Sequence, residues 1–127
     1  MRGISKSELD TALAVIEGLP CDIVEALMQL GFTETEISTI VLTPNSPPAA
    51  ERLTLSSEES DRAVRLLRIY ARAEEAIGNC QDAIHWLRKP QDELRGETPL
   101  LLVKTDAGAR AVEARLASMN EMFLGLI

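Results

Sequence analysis

Few residues in this 127-residue chain are of types that do covalent chemistry, and their spacing keeps them apart. His85, the one histidine, stands beside Trp86, the one tryptophan. A histidine has the acidity of a general base, but no Ser, Cys or paired carboxylate lies at a triad-like or motif spacing from this one. The His85-Trp86 pair therefore reads as a structural or interface feature. Cys21 and Cys80 form neither a CxxC nor a Cys/His ligand pattern, which predicts two buried, reduced thiols and no metal. GxGxxG, a Walker glycine-lysine loop and HExxH are all missing, so no motif points to a dinucleotide, a nucleoside triphosphate or a catalytic zinc. The chemistry that remains is recognition. Arg62, Arg65, Arg68 and Arg72 occupy neighbouring rows of one helical pattern, suited to gripping phosphate or an acidic partner. The commoner fate of such arginines is solvation or pairing with carboxylates such as Glu58, Glu59 and Asp61. The sequence shows no enzyme and requires no cofactor.

The composition sets the class of fold that must position these residues. Aromatics make up only 3% of the chain while Ala, Leu, Ile and Glu abound, which favours helices over sheet and predicts an all-α protein. A chain of this length buries a core without disulfide or metal staples. No apolar run reaches the length of a bilayer span. Met1-Arg2-Gly3 opens a segment without the apolar core or cleavage site of a signal peptide, so a cytoplasmic location away from membranes is expected. Charge is unevenly shared: residues 1–50 carry two basic and seven acidic side chains, against eleven and thirteen in residues 51–127. A phosphate backbone approaching the first half meets an unfavourable field.

Three helical patterns occupy that first half. Leu9, Leu13 and Ile16 recur at helical spacing before Gly18-Leu19-Pro20 stops them. Ile23, Leu27 and Leu30 make a second face closed by Gly31, a left-handed cap. Thr33 with Glu36 is a capping box leading into Ile37, Ile40 and Val41. A short helix, a tight turn at Val41-Leu42-Thr43 and a further helix near Pro44 to Leu53 would complete a helix-turn-helix. Pro47 and Pro48 work against that last helix, each costing roughly 3 kcal/mol in a helix interior. For a nucleic acid the segment offers only Thr43, Asn45 and Arg52, with Glu51 opposing them. A degenerate helix-turn-helix over residues 1–54, used for packing or dimerisation, is the expectation.

From Ser56 onward the punctuation is dense. Ser56 with Glu59 forms a second capping box, and Glu58, Glu59 and Asp61 suit the positive end of the helix dipole. Ala63, Leu67, Tyr70 and Ile77, with Val64 and Ala71, predict a broad apolar face ending at Gly78. Asn79 caps a helix bearing Ala83, Ile84 and Leu87, which stops before Pro90. Thr98-Pro99 starts a helical turn through Leu102. Thr105 caps a last helix carrying Val112, Leu116 and Met119, followed by an apolar run from Met122 to Ile127.

These residues resemble a known family. Ser57-Glu58-Glu59-Ser60-Asp61-Arg62, Arg65, Arg68, Ala73-Glu74-Glu75 and Ala83-Ile84-His85-Trp86-Leu87 carry the likeness. Pro90, Leu94, Gly96, Thr98-Pro99, Thr105, Gly108 and Val112 continue it. Together they are similar, over roughly Leu55 to Phe123, to the toxin-binding domain of the Xre/MbcA/ParS antitoxins. Gly18 to Leu53 resembles the Xre-like helix-turn-helix region of that family more weakly. The resemblance implies an all-α, homodimeric antitoxin of a type II system, with a C-terminal helical toxin-binding module over residues 55–127. It implies a co-encoded RES-domain toxin that cleaves or phosphorolyses NAD+, neutralised by blocking its active site. Operator DNA would then be bound weakly or only within the toxin complex. The toxin-facing candidates are Trp86, Leu87, Leu94, Leu100, Leu101 and Phe123, with Arg88, Lys89 and Arg95 at the edge. Met119, Met122, Leu124 and Ile127 join them if the apolar C-terminal stretch plugs the toxin; covering the chain's own core or a dimer seam is the plainer use. The competing function is an autonomous helix-turn-helix transcriptional regulator of its own operon.

Overall fold

The computed structural model describes residues 22–48 and 51–124, with side chains through Met119. The expected Leu9/Leu13/Ile16 helix and Cys21 lie outside the described residues. Among the described residues six α-helices follow one another: α1 (Asp22–Leu30), α2 (Glu34–Ile40), α3 (Ser57–Ile77), α4 (Cys80–Arg88), α5 (Pro99–Leu102) and α6 (Asp106–Leu124). A 3-10 turn, Asp92–Leu94, sits between α4 and α5. The chain is all-α, as its composition predicts.

The helix ends fall where local chemistry puts them. Gly31 takes φ +122°, closed by its amide on Met28 O at 3.0 Å. Thr33 and Glu36 form the reciprocal capping box, at 3.1 and 2.8 Å. Ser56 and Glu59 repeat it on α3, at 3.1 and 2.9 Å. Asn79 accepts the Asp82 amide at 2.9 Å, and Thr105 accepts that of Gly108 at 3.0 Å. Each cap occupies an amide that the first turn of a helix leaves without an intrahelical partner.

α3 is the spine, with α4 and α6 packed along it and α5 wedged between α4 and α6. Its buried face runs through Ala63, Leu66, Ile69, Tyr70 and Ala73. This corrects the expected stripe: Val64 and Leu67 are half-buried and Ala71 is exposed. A helix gripped by two neighbours buries an arc wider than one stripe, and the sequence pattern picked out its margin. α1 and α2 add Leu27, Phe32, Ile37, Ile40 and Val41 to the same apolar cluster as Leu87, Leu100, Val112 and Leu116. The core thus runs without a break across the 54/55 junction. Phe32 meets Tyr70 edge-on, with ring centroids 6.1 Å apart.

The segment expected to hold a recognition helix takes another form. Residues 43–46 make a turn, with the Ser46 amide on Thr43 O at 3.2 Å and Asn45 at φ +65°. Past the prolines, the Glu51 amide closes back on Pro48 O at 2.9 Å. Among the described residues no α-helix lies between Ile40 and Ser57. Pro47 and Pro48 remove amide donors, and Glu59 supplies a better set of partners from α3. Its carboxylate is fully buried, and it accepts from Arg52 at 2.7 and 3.1 Å, the Thr43 amide at 2.9 Å and the Ser56 amide at 2.9 Å. Arg52, joined by these amides, holds the carboxyl well below its ordinary range against the opposing pull of burial.

A Cβ added at Gly108 would sit 1.9 Å from Leu102 O, so Gly108 is where α6 passes the end of α5. Gly108→Ala should cost about 3 kcal/mol, roughly 10 °C in thermal midpoint by calorimetry. Glu59→Gln should cost a similar amount, about 3 kcal/mol, because Arg52 loses a buried counter-charge. A depressed carboxylate pKa contributes stability above the unfolded value, about 4.3, and loses it as pH falls toward the folded one. The wild-type midpoint should therefore fall steadily from about pH 5 to pH 2, and Glu59→Gln should flatten that fall.

Candidate partner-binding surface

The loop between α4 and α5 is built to hold one shape. α4 ends at Arg88 ahead of Pro90, and Lys89 is extended at its C-cap. Gln91 and Glu97 then pair as an isolated antiparallel bridge, the Gln91 amide donating to Glu97 O at 3.1 Å. Within that bridge the 3-10 turn closes through Arg95 at φ +58° and Gly96 at φ +80°. The left-handed Arg95 is a conformation that non-glycine residues rarely adopt, and the Arg95 amide on Asp92 O at 3.0 Å helps fix it. Gln91 Nε2 reaches back to Trp86 O at 3.3 Å and Lys89 O at 3.1 Å.

Arginines tie these loops to the helices. Arg88 forks onto Glu36, Nε to Oε2 at 2.7 Å and Nη2 to Oε1 at 2.8 Å, and Nη2 also meets Gly31 O. This pair holds the Glu36 carboxyl below its ordinary range. Arg65 donates to Lys104 O at 3.1 Å, past the end of α5, and pairs with Asp61 at 2.7 Å. Arg68 reaches Glu113 at 2.8 Å, and Arg115 reaches Glu93 at 3.1 Å. Arg62 donates to Val41 O at 2.8 Å and Thr43 Oγ1 at 3.1 Å. The arginine row is therefore engaged within the chain. Asp61 is the one expected carboxylate it uses, and the remaining partners are carbonyls, the Thr43 hydroxyl and the Glu113 carboxylate, all far away in sequence.

The candidate residues separate by burial and by partner. Leu87 and Leu100 are core residues, 0% and 6% exposed, and form framework rather than surface. Trp86, Leu94 and Met119 are half-buried against that core, while Leu101, on α5 next to the buried Leu100 in sequence, stands 47% exposed. Lys89 and Arg95 are exposed, and Arg88 is committed to Glu36. Met122, Phe123 and Leu124 continue the α6 backbone with their side chains outside the described atoms, and Ile127 lies outside the described residues. Of the nucleic-acid candidates, Thr43 and Arg52 serve the Glu59 clasp and Asn45 occupies the left-handed turn.

Two other features carry less than their composition suggests. Cys80 is exposed, correcting the expectation of a buried thiol, because it takes the first position of α4 rather than its core face. His85 is exposed on α4, away from the buried Ala83, Ile84 and Leu87 face. A hollow of about 370 Å³ between α3 and α6 is lined by Arg72, Glu75, Ala76, Glu113, Ala114, Leu116 and Ala117. Another of about 420 Å³ lies among Ser57, Glu58, Asp61, Arg62, Arg65, Lys104 and Thr105. Neither lining contains His or Cys. Among the described residues no cluster of His, Cys, Asp and Glu is placed to hold a metal ion, and no helix is long and apolar enough to cross a membrane. The arrangement suits recognition by a shaped surface.

Known proteins share this segment. Residues 72–121 match the model of the antitoxin Xre/MbcA/ParS C-terminal toxin-binding domain, which spans the end of α3, all of α4 and α5, and most of α6. The Antitoxin Xre of Pseudomonas putida is 37% identical over 67 residues, covering 53% of this chain and 42% of that protein. The chain spans less than half the length of this curated relative. Residues 72–121, with their capped helices and clamped loop, are thus similar to the C-terminal toxin-binding domain of the Xre/MbcA/ParS antitoxins.

Proposed function

We propose that this chain is the antitoxin of a type II toxin–antitoxin pair, a non-catalytic protein that neutralises a co-encoded RES-type toxin by covering the site where it consumes NAD+. The match of residues 72–121 to a toxin-binding domain carries the proposal. The make-up of that same segment supports it: it exposes Leu101, Lys89 and Arg95 and leaves Trp86 and Leu94 half-buried. A half-buried aromatic, an open leucine and exposed basic side chains are the residue types that interface centres and their rims use. The apolar run Met122-Phe123-Leu124 on the end of α6 extends the candidate surface toward the toxin's cleft. A homodimer is proposed with it, acting in the cytoplasm.

Autonomous transcriptional regulation is the weaker reading. Its candidate readers Thr43 and Arg52 are engaged by Glu59, and no basic residue occurs from Asp22 to Glu51. Operator binding is accordingly assigned to the toxin complex. The pure chain should give no salt-dependent shift of its promoter DNA, and addition of toxin should produce one.

Leu101→Asp should lower affinity for the toxin at least about tenfold while moving the thermal midpoint by only a few degrees, since the side chain is half exposed. Unchanged affinity, by titration calorimetry against an active-site variant of the toxin, removes Leu101 from the interface. Deleting residues 120–127 should weaken neutralisation with the fold retained by circular dichroism. Full neutralisation by the shortened chain sinks the proposed plug.

A further inference from the structure

The matched segment begins at residue 72, yet the end of α4 that it contains is positioned by residues far upstream. Phe32, Ile37 and Val41 are buried in the same cluster as Leu87 and Leu100. At Gly31 the α1–α2 turn lies against α4, where a Cβ would be 3.7 Å from Ile84 Cγ1. Glu36 is anchored first on its own helix, its Oε1 accepting the Thr33 amide at 2.8 Å. It then receives the Arg88 guanidinium on both oxygens, at 2.7 and 2.8 Å. From the other side Gln91 holds Trp86 O and Lys89 O. The last turn of α4, with Trp86, Arg88 and Lys89, is thus clamped between α2 and the following loop.

The pair is partly open, Arg88 at 40% and Glu36 at 20% side-chain exposure. Ion pairs so placed add little to folding stability, while a two-pronged arginine–carboxylate contact fixes direction closely. We infer that Arg88 is a positioning residue for toxin binding: Glu36 of α2, through the Arg88 fork, sets the angle at which the end of α4 presents Trp86 and Lys89 to the toxin. The α1–α2 pair is on this account part of the toxin-binding unit. The inference rests on the proposed role of the α4–α5 edge as toxin contact, and it concerns residues outside the matched segment.

The test is a double-substitution cycle of Glu36→Gln, Arg88→Met and both together, in the full chain. Gln at position 36 can still close the capping box, so α2 keeps its start. Affinity is measured for the toxin encoded beside this chain, carrying an inactivating substitution, at a temperature where circular dichroism shows every variant folded. Fluorescence of Trp86 is recorded without toxin. Each single variant is expected to shift Trp86 emission and weaken binding about tenfold, and the double variant to bind no worse than the weaker single one. Weakening by Arg88→Met alone, with Glu36→Gln binding as wild type, makes Arg88 a direct contact and overturns the inference. Additive losses overturn it as well. Lys89→Glu and Leu101→Asp serve as controls on the contact edge itself. If both bind as wild type, or the unaltered chain binds no toxin, the proposed edge is wrong and the inference falls with it.

Discussion

The buried carboxylate of Glu59 is the constraint from which much of the rest follows. A charge taken out of water is tolerated only when its lone pairs are met, and here Arg52 and the amides of Thr43 and Ser56 meet them. Meeting them ties both ends of the proline-bearing connection to the first turn of α3. Among the described residues the connection accordingly carries no α-helix, and Thr43 to Ser46 form a turn. The same closure brings α1 and α2 onto the core of the longer helices. One charged group thus links the start of the spine, the shape of the connection and the burial of the first two helices.

A similar solution recurs across the molecule. Short helices leave many carbonyls without intrahelical partners, and arginines reach several of them: Arg62 on Val41 O, Arg65 on Lys104 O and Arg88 on Gly31 O. Arg115 and Glu93 tie the 3-10 turn to α6. A loop held this way loses less conformational entropy when a partner arrives, because much of its ordering has occurred on folding. This is the physical link between the internal arginine contacts and a surface suited to binding.

Local signals in the sequence were the legible ones. Thr33 with Glu36 and Ser56 with Glu59 are three residues apart, so spacing alone announces the cap, and Gly31 and Gly78 mark left-handed ends in the same way. Thr98-Pro99 and Thr105 likewise start the helices they were expected to start. What spacing does not reveal is the second use of a capping residue. Glu59 reads as a helix-dipole partner, yet it accepts from Thr43, 16 residues away, and Glu36 meets Arg88 across 52. Burial was legible only in part. Leu66 and Ile69 were missed because α3 serves two neighbours, and Cys80 was expected inside although the first position of α4 faces out. Among the candidate surface residues spacing does not separate buried from open ones: Leu87 and Leu100 lie in the core, whereas Leu101 is exposed.

The proposed toxin contact is the edge formed by the end of α4, the clamped loop, α5 and α6. Amide hydrogen exchange of the full chain, with and without an inactive toxin, addresses it residue by residue. New protection is expected to concentrate between Trp86 and Lys104 and along α6, with the connection at 43–54 exchanging as before. Protection confined to residues 22–54, leaving the α4–α5 edge unchanged, would contradict it.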